Sequence, residues 1–354
     1  GEINFEFLNG YDKTKPLVID PKLVFSTFSG VTADNWGFTA SFDSKGNTYS
    51  GGIASVQFGG NIIPPVGSFQ QSYGGGSWDM AIFKYDSTGS KLLYGTYLGG
   101  NDTDVPHSLV TNSKDELLIF GTTGSNDFPT SRNAIGRLFK GGSSIIPIPG
   151  IPYTNGSDII VTRISEDGTE ILSSTYLGGS GNDGLSSLFE FSDQLIKNYG
   201  DQVRGDIITD LEDNVYLATS TMSVDFELNN SLFPFFSGGI RDAVLLKLNS
   251  DLSQMEWGTY VGGSGEDAAF SVKLDANNNV LIAGATNSSD LPVGADGFIS
   301  TFNGGIDGFV NYFDTDGTNL ISGTFVGTPQ DDLVYFSDFD SEGNFYLLGQ
   351  SNGN

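Results

Sequence analysis

A short segment that returns along the chain constrains its fold more than any other feature. GTYLGG (95–100) reappears as STYLGG (174–179), GTYVGG (258–263) and GTFVGT (323–328), with a weaker copy, STFSG, at 26–30. Its threonines are Thr27, Thr96, Thr175, Thr259 and Thr324. An aspartate stands 17 residues before four of them: Asp79, Asp158, Asp242 and Asp307. Downstream, a turn followed by a short apolar strand recurs as DSKGNTYSGG (43–52), NSKDELLIFG (112–121), DLEDNVYLAT (210–219), DANNNVLIAG (275–284) and DSEGNFYLLG (340–349). From the threonine to Asn47, Glu116, Asn279 and Asn344 the spacing is 20 residues; in the third unit it is 39, to Asn214. The excess places a 19-residue insertion at roughly 187–206. Internal repetition at this period is the signature of a repeat architecture.

Each unit reads as two β-hairpins. In DAVLLKLNSDLSQMEWGTYVGG (242–263) an apolar strand, a turn rich in Asn, Asp and Ser, and a second strand ending in Gly-Gly follow one another. AAFSVKLDANNNVLIAGAT (268–286) supplies the second hairpin, with an Asn-rich turn where positive φ is tolerated. Four short strands per unit and almost no helical periodicity predict an all-β chain. The architecture that fits is a β-propeller of four-stranded antiparallel blades, at least five of them in this chain. The units run approximately 11–72, 73–150, 151–236, 237–302 and 303–354. In the first, PLVID (16–20) and LVFSTF (23–28) form a tighter opening hairpin through Pro21-Lys22, while INFEFL (3–8) lies outside the blades, to close the ring or to belong to a preceding domain. Only the insertion, SLFEFSDQLIKNYGDQ (187–202), has room for a short helix.

Composition narrows the chemistry. Of 354 residues 43 are Asp or Glu and 16 Lys or Arg, a net charge of −27 that leaves no basic surface for phosphates, so neither nucleic acid nor an anionic membrane is an expected partner. Calcium and basic surfaces remain open. There is no cysteine, hence no disulfide, thiolate metal site or thiol nucleophile, and the single histidine, His107, excludes any site needing two imidazoles. With 38% hydrophobic residues, including 27 Phe and 14 Tyr, the chain has material for a large core. No apolar run approaches the roughly 18 residues of a membrane span, and GEINFEFLNG has no basic region leading into an apolar stretch.

The succession DAVLLKLNSDLSQMEWGTYVGGSGEDAAFSVKLDANNNVLIAGATNSSDLPV resembles the SBBP-type bacterial β-propeller repeat. The likeness lies in the strand opening at Asp, the STYLGG-like strand, the D-x-x-G-N turn and an S-x-D-F-P element, here SNDFPT (125–130), VDFEL (224–228) and SSDLPV (288–293). It covers about 16–350. The opening, KPLVIDPKLVFSTFSGVTADNWGFTASFD, is similar to the start of such propellers in long secreted proteins of Bacteroidota that carry a gliding-motility-associated C-terminal sorting domain. The resemblance implies the fold, an extracellular or cell-surface location and export by a type IX system. No sorting domain is read in these 354 residues, and the repeat brings no general catalytic set with it.

Two aspartate series are candidates for chemistry. The strand-opening aspartates read as caps of the Gly-rich turns before them. Eight residues after each threonine stand Asp104, Asp183, Asp267 and Asp332, with Asn35 in the first unit. Blade symmetry sets these at one height around the axis, where they either bind Ca²⁺ through oxygen ligands or tie their own turns to the next blade, the second being the favoured reading. DTDGTN (314–319) and DSEGN (340–344) read as hairpin turns, since they lack a full calcium-loop spacing. His107 reads as an ordinary histidine of a strand-entry loop. Five arginines (Arg132, Arg137, Arg163, Arg204, Arg241) occur without an Asp-box of sialidase type. GGNIIPPVGSFQQSYGG (59–75), GGSSIIPIPGIPYTNG (141–156) and the insertion are the least repeat-like stretches; they either recognise a ligand or, through their Ile and Pro residues, cover blade edges or a neighbouring domain.

The expectation is therefore a non-catalytic scaffold or binding module of a larger secreted protein. Its partners would be other domains of the parent protein, a surface protein or a polysaccharide, and it would use no cofactor other than a possible Ca²⁺. Two alternatives stay open: a polysaccharide-active enzyme with carboxylate acid/base chemistry, which needs carboxylates, an arginine and aromatics converging in one pocket, and a calcium-stabilised adhesin.

Overall fold

A computed structural model describes residues 25–26, 34–55, 68–187, 195–198, 200–294 and 297–353. The expected strands at 3–8 and 16–28, except Phe25 and Ser26, and the stretch 56–67 of the first long connection lie outside the described residues.

The chain is a β-propeller of four-stranded antiparallel sheets. The first sheet holds β1 (Asp34–Phe42), β2 (Thr48–Ser55), β3 (Asp79–Tyr85) and β4 (Leu92–Leu98), in chain order. The second holds β5 (Asp104–Thr111) and β6 (Leu117–Thr123); after a small hairpin, β7 (Ile145–Ile148) and β8 (Ile151–Tyr153), come β9 (Asp158–Ile164) and β10 (Ile171–Leu177). The third is β11 (Asp206–Thr209), β12 (Val215–Thr221), β13 (Asp242–Leu248) and β14 (Met255–Val261). The fourth is β15 (Asp267–Leu274), β16 (Val280–Thr286), β17 (Asp307–Phe313) and β18 (Leu320–Val326). Last comes a two-stranded sheet, β19 (Asp332–Phe339) and β20 (Phe345–Ser351). The first strands neighbour one another in order, β1 against β5, β5 against β11, β11 against β15 and β15 against β19, so they are the inner strands of successive blades.

The sheets are offset from the sequence units by one hairpin. Each complete sheet pairs the second hairpin of one unit with the Asp-opened hairpin of the next, as Thr286 opposite Asp307 marks in the fourth. The core lies between blades, where the middle strands β6, β12 and β16 are buried along their whole length. One such interface joins Phe120 and Val161 of the second sheet to Leu217, Val244 and Tyr260 of the third. Burial of this apolar area, at about 25 cal/mol per Å², is what holds blade to blade.

The recurring residues have local reasons. The threonine hydroxyl pins the connection that crosses its strand: the N–H of Gly136 donates to Thr175 Oγ1 at 2.9 Å, that of Phe233 to Thr259 at 2.8 Å and that of Ile299 to Thr324 at 2.9 Å. The turn aspartates fold their own hairpins, Asp210 accepting from the N–H of Glu212 and of Asn214 at 3.1 and 2.8 Å. DTDGTN and DSEGN are turns of this kind, built on Asp314 and Asp340.

A bulge recurs in the inner strands. Register slips at Phe38 in β1, His107 in β5, Phe270 in β15 and Tyr335 in β19. Opposite each bulge stands a glycine, Gly52, Gly121, Gly284 or Gly349, on which a side chain would strike the carbonyl of Trp36, Val105, Ala268 or Leu333. In the third unit the matching residue is Thr219, and there the inner strand is broken: Asp183 makes an isolated bridge to Thr221, the insertion follows, and the strand resumes at Asp206. The expected helix in the insertion is a single 3-10 turn, Asp201–Val203, among the described residues.

Candidate functional site

The inner strands of all five repeats wall one central cavity of about 540 Å³. β1 contributes Phe38, β5 His107 and Ser108, β15 Phe270 and Lys273, and β19 Phe336; Arg204 and Asp206 come from the end of the insertion and the start of β11. The bulges put Phe38, His107 and Phe270 there, because the extra residue re-aims its side chain.

Described residues of the insertion pack near the starts of the inner strands. Val203 packs with Val105, Ile53, Trp78 and Leu185, whereas Leu195 packs with Ala268, Phe270, Leu333 and Tyr335, so one segment bridges opposite sides of the ring. Asp201 holds it, accepting from the N–H groups of Lys197 and Asn198 at 2.8 and 2.6 Å and from Tyr335 Oη at 3.1 Å. The β7–β8 hairpin lies on the same cluster with Ile145, Ile148, Ile151 and Tyr153 buried. Ile145, Ile148, Ile151 and Tyr153 of 141–156 thus pack on the sheets, while Ile146 is exposed.

Charge in the cavity is paired. Lys273 Nζ lies 3.1 Å from Asp206 Oδ2, and Ser108 Oγ donates to Asp206 Oδ1 at 3.0 Å. Arg204 Nε donates to Asp201 Oδ1 at 2.6 Å, with its guanidinium over the Tyr335 ring at 4.3 Å. Phe336 stands at the mouth, 56% exposed.

His107 is not a loop histidine. It sits in β5, buried, with Nε2 3.1 Å from Thr122 Oγ1 and its ring edge-on to Phe120. Thr122 in turn shares a hydrogen bond of 2.7 Å with Tyr153 Oη. Burial pushes the imidazole down to about 3, so it is neutral, and Nδ1 has no protein partner.

The four candidate metal-ligating aspartates lie away from this cavity, at the junctions between sheets. Asp104 accepts from the N–H of Gly100 at 2.8 Å, from Ser125 Oγ at 2.9 Å and from Thr123 Oγ1. Asp183 accepts from Gly179, Ser223 and Thr221, and Asp267 from Gly263, Ser288 and Thr286, in the same pattern. Asp332 accepts from the N–H and Oγ1 of Thr328 at 2.6 and 2.8 Å. Each carboxylate ties the end of one blade's outer strand to the next blade's inner strand. Asn35, the counterpart in β1, is exposed.

The strand-opening aspartates cap the preceding turns as read. Asp158 accepts from the N–H groups of Lys140 and Gly141 at 2.7 and 2.9 Å, and Asp307 from that of Asn303 at 2.7 Å. The two series meet at the junctions, Asp79 beside Asp104 and Asp158 beside Asp183. Among the described residues no group of three or more His, Asp or Glu is placed to hold a metal.

The sequence did not single out Asp206, Lys273, Phe270 or Phe336. The signal was present: the bulge falls three residues after each repeat aspartate or Asn35, at Phe38, His107, Phe270 and Tyr335, with Ser186 at the same spacing in the third unit. Of the five arginines only Arg204 lines the cavity, and of the carboxylates only Asp206, among the described residues. The paired carboxylates of glycoside hydrolysis are not assembled there.

No family model matches the chain, and no curated protein does. Among solved structures it is similar to a glucose dehydrogenase, at 8% identity and a TM-score of 0.32, over 89% of this chain and 93% of that one. It is also similar to BamB from Moraxella catarrhalis, at 11% identity and a TM-score of 0.21, over 90% and 99%. The fold assignment rests on the sheets themselves.

Proposed function

We propose that this chain is a non-catalytic propeller module, a scaffold and binding domain of a larger secreted protein at the cell surface, and that its ligand seat is the central cavity. The observation that carries the seat is its chemistry. Lys273 and Arg204 are each already neutralised by Asp206 and Asp201, with Phe38, Phe270 and the half-exposed Phe336 among the lining residues. Such a site has apolar faces and directed polar atoms but little net charge with which to draw an ion. It suits a neutral polyhydroxylated ligand, whose C–H faces stack on aromatics while hydroxyls meet the paired side chains. A polysaccharide terminus or short side chain is of this class.

The cell-surface reading is supported by the likeness of the repeats to SBBP-type propellers of secreted Bacteroidota proteins. An acidic, cysteine-free surface is compatible with it.

A screen against neutral and acidic polysaccharides and their oligosaccharides tests this. Binding to neutral glycans is expected, weakened roughly tenfold by Phe336→Ala, a change at a half-exposed residue. Silence across the screen removes the binding role and leaves the scaffold. Release of new reducing ends from a bound glycan overturns the non-catalytic reading.

A further inference from the structure

Nearly every described cation of this acidic chain is held by one of its own groups. Among the described lysines only Lys91 has neither a carboxylate within ion-pair distance nor, as Lys247 has in Tyr216, an aromatic ring beneath it. Three of the five arginines are paired as well, Arg163 with Glu116 at 3.6 Å, Arg204 with Asp201 and Arg241 with Glu266. Arg132 and Arg137 are the exceptions. Both are exposed, and neither side chain has an ion or hydrogen-bond partner among the described residues.

The two stand on one connection, 131–142, which crosses the outer strand β10 and is fixed to the sheet at three places. Ser131 donates its N–H to the Ser174 carbonyl at 2.9 Å, Gly136 its N–H to Thr175 Oγ1 at 2.9 Å, and Lys140 and Gly141 theirs to Asp158. The Phe139 ring packs on that of Tyr176, 5.9 Å away. Between these points Arg132, Ile135, Arg137 and Leu138 are left outside, Ile135 40% and Leu138 80% exposed. A backbone so held has little ordering left to lose when a partner binds. The repeat does not require the arginines. The N–H that meets the repeat threonine comes from Gln70, Gly136, Phe233 or Ile299, and the next residue is Gln71, Arg137, Pro234 or Ser300.

The same connection borders a slot of about 70 Å³ between the second and third sheets, lined by Ile135, Leu138, Tyr176, Leu177, Phe226 and Met255. It has room for one aliphatic side chain. Lys140, at its edge, is already held by Glu227 at 2.8 Å, so the free positive charge there is that of the two arginines.

We propose that this connection is a docking site for an acidic segment of a partner protein, whose carboxylates pair with Arg132 and Arg137 while one aliphatic side chain enters the slot. Charge sets the sign of the partner, since guanidinium and carboxylate form charge-assisted hydrogen bonds. The slot selects a peptide over an anionic polysaccharide, which brings carboxylates but no aliphatic side chain. A second copy of this chain would set one net charge of −27 against another. The site stands on an outer strand, apart from the central cavity, and does not depend on what that cavity binds.

Fluorescence anisotropy with the full chain and a short labelled peptide, Asp and Glu residues around a single Leu, tests this. Saturable binding is expected, weakened by added salt and roughly tenfold by Arg132→Ala with Arg137→Ala, with the variant's native circular dichroism verified. Lys91→Ala should leave it unchanged, and replacing the peptide's Leu by Ser should weaken it about threefold. No saturable binding, or binding that the double variant or the Leu-less peptide retains in full, overturns the proposal. So does polygalacturonate that binds as tightly with the same dependence on the arginines, which makes the site one for an anionic polysaccharide. Self-association of the wild-type chain that the double variant abolishes identifies a second copy as the occupant and overturns it too.

Discussion

Asp79 and Asp104 face one another across Gly99: a methyl placed on that glycine would lie 2.7 Å from a carboxylate oxygen of each. One aspartate opens an outer hairpin and the other begins the next blade's inner strand, 25 residues later, so their contact is the seam between blades. Burial, with the neighbouring Asp104 carboxylate adding to it, pushes Asp79 up to about 8. Burial likewise raises Asp104 to about 7, against the pull of the hydrogen bonds from Thr123, Gly100 and Ser125. Asp183 beside Asp158 and Asp242 beside Asp267 are raised in the same way.

A buried acid whose folded pKa exceeds the unfolded 3.8 holds protons that the unfolded chain releases, so folding stability is greatest below about pH 4 as far as these groups contribute, and falls as pH rises toward 8. Urea unfolding from pH 5 to 8.5 should show that fall, on the order of several kcal/mol per junction. Asp79→Asn, which mimics the protonated acid, should flatten it. An unaltered slope in that variant contradicts the assignment.

Lys84 and Asp43 form an ion pair of 3.0 Å with both side chains buried. Lys84 also donates to the Glu166 carbonyl at 3.0 Å and lies over the Tyr49 ring. Lys84→Met strands the carboxylate and should cost about 3–5 kcal/mol. Pairing it with Asp43→Asn should recover part of that loss. A double-mutant cycle with no coupling energy would show the two charges to be independent.

At the bulges, Gly121→Ala should cost about 1–3 kcal/mol, because the added methyl meets the Val105 carbonyl and the backbone must shift. Because the bulge sets the place of His107 against Thr122 and Phe120, the imidazole resonance should move as well. A variant that unfolds at the wild-type urea midpoint would remove the steric reason given for this repeated glycine.

Chelation separates the two readings of Asp104, Asp183, Asp267 and Asp332. Hydroxyl and N–H donors already occupy these carboxylates, so an excess of EDTA should leave the melting temperature unchanged within about 1 °C. A fall of several degrees, restored by Ca²⁺, would instead support the calcium-stabilised adhesin.

Much of the fold was legible because the repeat threonines, aspartates and Asn-rich turns act locally, each within a hairpin or one connection. The grouping of hairpins into sheets was not, since a repeating series of hairpins can be cut at either joint without changing the pattern. Pairing of the two aspartate series was hidden for a related reason: a constant separation of 25 residues does not say that two chain positions meet. His107 looked like a loop residue because Pro106 precedes it, and proline inside an inner strand is unusual unless a bulge releases its place in the ladder. Thr219, standing where the other four units have glycine, marked the interrupted strand of the third blade, although its meaning depended on the carbonyl it would otherwise strike.

The chain carries its own probe for the ligand seat. His107 is the only histidine and is among the residues that line the cavity, so its ring resonances in ¹⁵N–¹H spectra are unambiguous. Titration with a neutral oligosaccharide that binds in the screen should shift these resonances saturably, together with the Lys273 ammonium and the Phe270 and Phe336 rings. Binding that saturates while His107, Lys273 and both rings stay unmoved would place the ligand elsewhere and contradict the account.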